Sequence, residues 1–119
     1  MATLTPTLTL VSTNALSDSL NLSLSDTLTT TNPSEMSRIS VLHSGPTELA
    51  AASSGTHYCY IKNIGTNSRV VEVRTAGGTA FGSLAVGEFC FVPVKVDIGI
   101  EVIALVGTEV VEYAIFKKA

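Results

Sequence analysis

A chain of 119 residues, 45% hydrophobic and 14% charged with a mean hydropathy of +0.41, is long enough to bury one core without staples and is lean in charge beside the ~25% usual for a soluble domain. Its net charge is −3 and its basic residues are dispersed at Arg38, Lys62, Arg69, Arg74, Lys95, Lys117 and Lys118, so the clustered cations that grip phosphate backbones are missing and no nucleic-acid partner is expected. No apolar run reaches the ~18 residues of a membrane span, and Met1-Ala2-Thr3-Leu4-Thr5-Pro6 has neither the positive start nor the apolar block of a secretory signal, so no membrane partner is expected and the chain should stay in the cytoplasm where it is made, or be packaged there.

Residues 1–35 form a first region. They hold eight Leu, one Val, fifteen Ser or Thr, no aromatic residue and no Lys or Arg, whereas residues 36–119 hold all seven aromatics and twelve valines. Alternation over residues 3–11, then in Leu20-Asn21-Leu22-Ser23-Leu24-Ser25 and Thr27-Leu28-Thr29, predicts strands. The rival helix through Leu16, Leu20, Leu24 and Leu28 is set aside, because the Ser, Asn, Asp and Thr between those leucines compete with helical hydrogen bonding. The echo of Leu16–Leu20 in Leu24–Leu28 is too short for a solenoid. Such an arm has too little bulk for a core of its own. It must lie against the rest of the chain, another copy or a larger assembly, and Leu4, Leu8, Leu10, Leu20, Leu22 and Leu24 are its candidate assembly contacts.

Beyond Asn32-Pro33, Arg38 to His43 reads as a strand and Glu48 to Ala52 as one helical turn closed by Ser53-Ser54-Gly55. Strands follow at His57–Asn63, Val70–Thr75, Thr79–Leu84, Glu88–Val94, Ile98–Leu105 and Glu109–Phe116. Ala76-Gly77-Gly78 is a hairpin signal, since paired glycines accept positive φ without a Cβ penalty, and Val86-Gly87 and Val106-Gly107 do similar work. The short linkers favour antiparallel neighbours. Eight or nine strands predict an all-β fold, an antiparallel β-sandwich of jelly-roll type with a strand-like N-terminal arm. In Val71-Glu72-Val73-Arg74 the charges alternate outward. Phe89–Val94 and Ile98–Leu105 instead read as apolar on both faces, and a strand of that kind in a small antiparallel domain needs a second cover; a homo-oligomer is expected, a trimer favoured.

Chemistry is thinly represented. Cys59 and Cys90, flanked by aromatics, read as buried free thiols, with a cross-strand disulfide as the alternative. His43, His57, Cys59 and Cys90 include four possible zinc ligands but none of the paired spacings of a structural site, so no metal or other cofactor is expected. Neither cysteine has the electropositive setting of a nucleophile, no nucleophile elbow occurs, and Gly77, Gly78 and Gly82 lack the helix and Lys-Ser/Thr ending of a phosphate loop. Glu88, Glu101, Glu109 and Glu112 read as solvent-facing residues that keep the sheets soluble. No catalytic residue is expected.

The order Tyr60-Ile61-Lys62-Asn63, Val71-Glu72-Val73, the Gly-Gly hairpin, Leu84 with Val86-Gly87-Glu88-Phe89, Phe91-Val92-Pro93-Val94 and a closing Val111-Glu112-Tyr113 resembles small structural proteins of tailed bacteriophages, and the Ser/Thr/Leu-rich opening is similar to virion proteins of marine and cyanobacterial phages. The resemblance spans the whole chain. It implies a non-enzymatic virion component present in many copies, an all-β body with an arm that docks on neighbours. The leading expectation is a capsid decoration or cement protein, with itself and the major capsid protein or other virion proteins as partners. A tail adaptor, tail-tip or fibre-base component is the alternative. A carbohydrate-binding sandwich stands third, weakened by the absence of Trp.

Overall fold

The computed structural model describes residues 2–31, 36–51 and 56–119. By its internal contacts the chain forms two compact units, residues 1–32 with Ala119, and residues 33–118.

The first unit is a β-ribbon. β1 (Ala2–Leu4) pairs with β4 (Leu28–Thr30), and β2 (Thr7–Ser12) with β3 (Leu20–Ser25), both antiparallel. The alternating run expected over residues 3–11 is cut in two at Pro6, which has no N–H to give to a ladder. Its carbonyl still accepts from Asp26 N–H at 3.2 Å, which carries the pairing across the break. At the far end Ser12 Oγ accepts from the N–H groups of Asn14 and Ala15 and shapes the connecting loop. Of the helix weighed through Leu16, Leu20, Leu24 and Leu28, nothing forms: Leu16 lies in that loop and the other three lie on β3 and β4.

Among its described residues the second unit holds eight strands: β5 (Met36–Leu42), β6 (Thr47–Ala50), β7 (His57–Asn63), β8 (Val71–Thr75), β9 (Ala80–Leu84), β10 (Phe89–Val94), β11 (Ile100–Ala104) and β12 (Thr108–Lys117). They make two antiparallel sheets ordered β10-β7-β12-β5 and β6-β11-β8-β9. The pairing is nested: the first strand pairs with the last, β5 with β12, then β6 with β11, β7 with β10 and β8 with β9. Two further ladders, β7–β12 and β8–β11, join these pairs into sheets. Inward residues of both sheets merge in one core, with Val41, Ile61, Val94 and Val111 from the first and Val73, Leu84, Ile100 and Val102 from the second. Valine dominates because a β-branched side chain packs well on a pleated, two-sided interior.

Three expectations need correction. The helical turn over Glu48–Ala52 is absent where it is described: Thr47–Ala50 is β6, pulled straight by its ladder to β11, with a bulge that lets Leu49 join Ala50 against the core; Ala52 to Gly55 lie outside the described residues. In the body, short linkers do not make paired neighbours: among its described strands only β8–β9 is a hairpin, with Gly77 and Gly78 at φ 109° and 108°. The turns at Gly87 and Gly107, also at positive φ, carry the chain from one sheet to the other. Finally, β11 is not apolar on both faces: Ile100, Val102 and Ala104 point inward, and Glu101 and Ile103 outward.

Candidate assembly surfaces

Strand parity and register decide what each sheet shows to solvent. On the β10-β7-β12-β5 sheet, one row of outward parity reads Arg38, Glu112, Lys62, Phe89; the next Met36, Ala114, Tyr60, Phe91; the third Phe116, Tyr58, Pro93. Within these rows Ala114 and Tyr58 are buried and Tyr60, Phe91 and Phe116 half-buried. Leu42, Ser40 and Val110 extend the same face. It therefore gathers five of the seven aromatic residues. Tyr58 stacks on Phe91 with centroids 5.8 Å apart and planes 10° from parallel, and Lys118 Nζ lies 5.0 Å from the centre of the Tyr58 ring. Both arrangements are favourable and hold the rings in place. Phe89 on the β10 edge stays 61% exposed, and Met36 and Leu42 on the opposite β5 edge are exposed too. Glu112 sits between two cations in register, within 3.4 Å of Arg38, and accepts a hydrogen bond from Tyr60 at 3.2 Å. Burial first, then that bond and the nearby negative charge, raise the Tyr60 phenol above its usual pKa.

The outward face of the β6-β11-β8-β9 sheet is different in kind. Its rows are Glu48, Glu101, Arg74, Ala80 and Ile103, Glu72, Ser83. Arg74 and Glu101 approach to 3.7 Å, and Arg74 also donates to Gly78 O. With three carboxylates to one guanidinium and one large apolar residue in these rows, this face suits water.

The ribbon has its own two faces. In the β2–β3 ladder Leu8 faces Leu24, Leu10 faces Leu22 and Ser12 faces Leu20, while Thr7, Thr9 and Val11 with Ser25, Ser23 and Asn21 form the opposite side. Leu4 sits on β1 opposite Leu28. The six leucines named from the sequence therefore lie on paired strands, five of them on one side of a single ladder. Leu8, Leu10 and Leu24 are exposed at 42%, 43% and 55%. The leucine side is therefore apolar surface that remains partly open.

Glu109 overturns the reading of the acidic residues as uniformly solvent-facing. It is 0% exposed. Its Oε2 accepts from Asn67 and Arg69 N–H at 3.2 and 3.1 Å, and its Oε1 from Val110 N–H at 3.2 Å. These three donors solvate a buried carboxylate that would otherwise be costly. Gly65 makes room for it, since a Cβ there would occupy the carboxylate's own volume. Buried Asn63 completes the knot, donating to Arg69 O and Leu84 O and accepting from Gly65 N–H. Together they clamp the crossing between β7 and β8, a structural post that links the two sheets.

Cys59 and Cys90 are free thiols on the inner side of neighbouring strands. Burial pushes the Cys59 thiol up to about 12, with the nearby Cys90 adding to the rise, and burial raises Cys90 as well against a lowering bond from Ile61. His57 lies on the same inner side as Cys59, while His43 is at the surface with its Nδ1 3.2 Å from Gly107 O. Among the described residues no group of three or more His, Cys, Asp and Glu is placed to hold a metal ion. An apolar hollow of about 240 Å³ opens beside Phe81, Val92, Pro93, Val94, Ile98 and Ile100, with Lys95 as its charged lining residue. Among the described residues no helix is long and apolar enough to cross a membrane. No family model, curated protein or solved structure matches this chain.

Sequence reasoning reached the leucine side and the apolar excess of β10. It missed that the excess continues across β7 and β12 as one aromatic face. Residues two apart in each strand carry that signal, but joining them needs the order β10-β7-β12, which no local pattern encodes.

Proposed function

We propose that this protein is a non-enzymatic structural component of a tailed-phage virion, a decoration or cement protein that sits in many copies on the head and braces it through contacts with its own kind and with the capsid. The observation that carries this reading is the surplus of apolar β-surface in two places, the aromatic sheet face and the leucine side of the ribbon. A free-standing binding module or enzyme has no use for both. The nested order of the eight body strands supports it further, for it is the order produced when a ribbon of four hairpin pairs rolls into a two-sheet jelly roll, an architecture common in viral shell proteins. Fold alone does not fix function, because lectins and cupins share that architecture. The two apolar surfaces support the shell reading over those.

On a lattice, each joint can be modest in strength, since repetition supplies avidity. The net charge of −3 suits the outside of a shell better than a surface facing packaged DNA. Imaging of intact particles carrying a labelled copy tests the reading. Label arrayed over the head is expected. Label confined to the tail transfers the protein to a tail adaptor, tip or fibre base, and particles without it overturn the virion assignment.

A further inference from the structure

We infer that the leucine side of the ribbon of one copy packs on the aromatic sheet face of a second copy, so that every chain gives one joint and receives one. The inference rests on the oligomeric part of the reading above and adds which surfaces meet.

Two properties match. The first is apolarity: Leu8, Leu10, Leu22 and Leu24 stand on one side of a strand pair, and the face of Tyr60, Phe89, Phe91 and Met36 is the broad apolar surface of the body. The second is charge. Residues 1–35 carry three carboxylates and no cation, with Asp18 in the loop at one end of the β2–β3 ladder and Asp26 just past the other, both exposed. The aromatic face carries Arg38, Lys62 and Lys118 against the single carboxylate of Glu112.

Other covers fit worse. Two ribbons leucine to leucine would bring their acids together, and two aromatic faces would bring their cations together. The Glu48, Glu101 and Glu72 face would match the cations but would bury aromatics against carboxylates. The ribbon meets both needs. Because donor and acceptor surfaces differ, the joint is heterologous, and it closes into a ring when the rotation allows, three copies being the smallest ring beyond a pair.

Heterologous contact makes a complementation test possible with full-length chains. The double variant Leu8→Glu/Leu10→Glu spoils the ribbon and keeps the acceptor face; Phe89→Glu spoils the face and keeps the ribbon. By sedimentation velocity at a concentration near the wild-type dissociation constant for assembly, each alone is expected to be monomeric, and a 1:1 mixture is expected to form a heterodimer. A mixture that stays monomeric overturns the inference, as does either variant keeping the wild-type oligomer. Charge exchange gives a second arm, with Arg38, Asp18 and Asp26 exposed and Lys62 half-buried beside Glu112, so circular dichroism confirms the fold of each variant. Arg38→Asp/Lys62→Asp is expected to weaken assembly roughly tenfold, and adding Asp18→Lys/Asp26→Lys to restore it; no restoration overturns the pairing. A wild-type oligomer with failed complementation removes this joint while leaving the structural role standing, and a wild-type chain monomeric at every concentration removes the joint while particle imaging still decides the role.

Discussion

The two outward sheet faces of the body share one core and one strand pattern, yet one carries a cluster of aromatics with a few cations and the other mostly carboxylates. Both sheets bury valine and isoleucine inward with period two. What differs is the outward set: Tyr58, Tyr60, Phe89, Phe91 and Phe116 on one side, Glu48, Glu72, Glu101 and Ser83 on the other. Folding the core needs neither arrangement. An antiparallel sheet with a wet face normally alternates apolar and polar residues, and the aromatic side departs from that pattern where the carboxylate side keeps it.

The two sheets are held over one shared core, and the largest effect expected comes from removing what links them. Glu109→Ala leaves three backbone N–H groups without their acceptor and should cost about 3 kcal/mol or more in urea unfolding; a change below 1 kcal/mol would deny Glu109 its role as a post. Gly65→Ala should be damaging for the same reason, since its Cβ competes with that carboxylate.

Next come the faces themselves. Phe89→Glu should leave unfolding free energy within about 0.5 kcal/mol, its side chain being mostly exposed, and weaken self-association by roughly tenfold to a hundredfold, the worth of a buried Phe. Ile103→Thr on the opposite face should leave self-association unchanged. Equal effects of the two substitutions in equilibrium sedimentation would erase the distinction between the faces.

Smaller still is Glu101→Gln. The Arg74 and Glu101 side chains are 22% and 13% exposed, and loss of this half-buried pair should cost about 1 kcal/mol. A last effect appears only at alkaline pH. The folded Cys59 thiol is raised from 9.0 to about 12, so its contribution to stability is fully present below pH 9 and is lost as pH rises towards 12. Native protein should therefore resist alkylation at Cys59 at pH 8, measured by mass spectrometry, and rapid labelling without unfolding would contradict the burial.

Much of this was legible in the residues. The body strands fall where alternation puts them, with β7 at His57–Asn63 as expected and the hairpin at Gly77-Gly78. Pairing was not legible: Val86-Gly87 and Ala76-Gly77-Gly78 look alike locally, yet one crosses between sheets and the other folds back within one. Which of these happens depends on the shared core, a non-local cause. Glu109 shows the same limit more sharply. It has the parity of Val111, Tyr113 and Ile115, which marks the inward side, but its acceptability there rests on Gly65 and on donors some 40 residues away. The short β6 was misread because Glu-Leu-Ala-Ala favours a helix, and its ladder to β11 outweighs that preference.

Phe89 and Phe81 offer a direct test of the central claim, because they are exposed to similar extents, 61% and 50%, on strands of different sheets. Hydroxyl-radical footprinting of wild-type protein over a range of concentrations reads both rings in one sample. As concentration rises, Phe89 should become protected while Phe81 continues to react at its dilute rate. Phe89 oxidised equally fast at every concentration would contradict the claim that another chain covers the aromatic face.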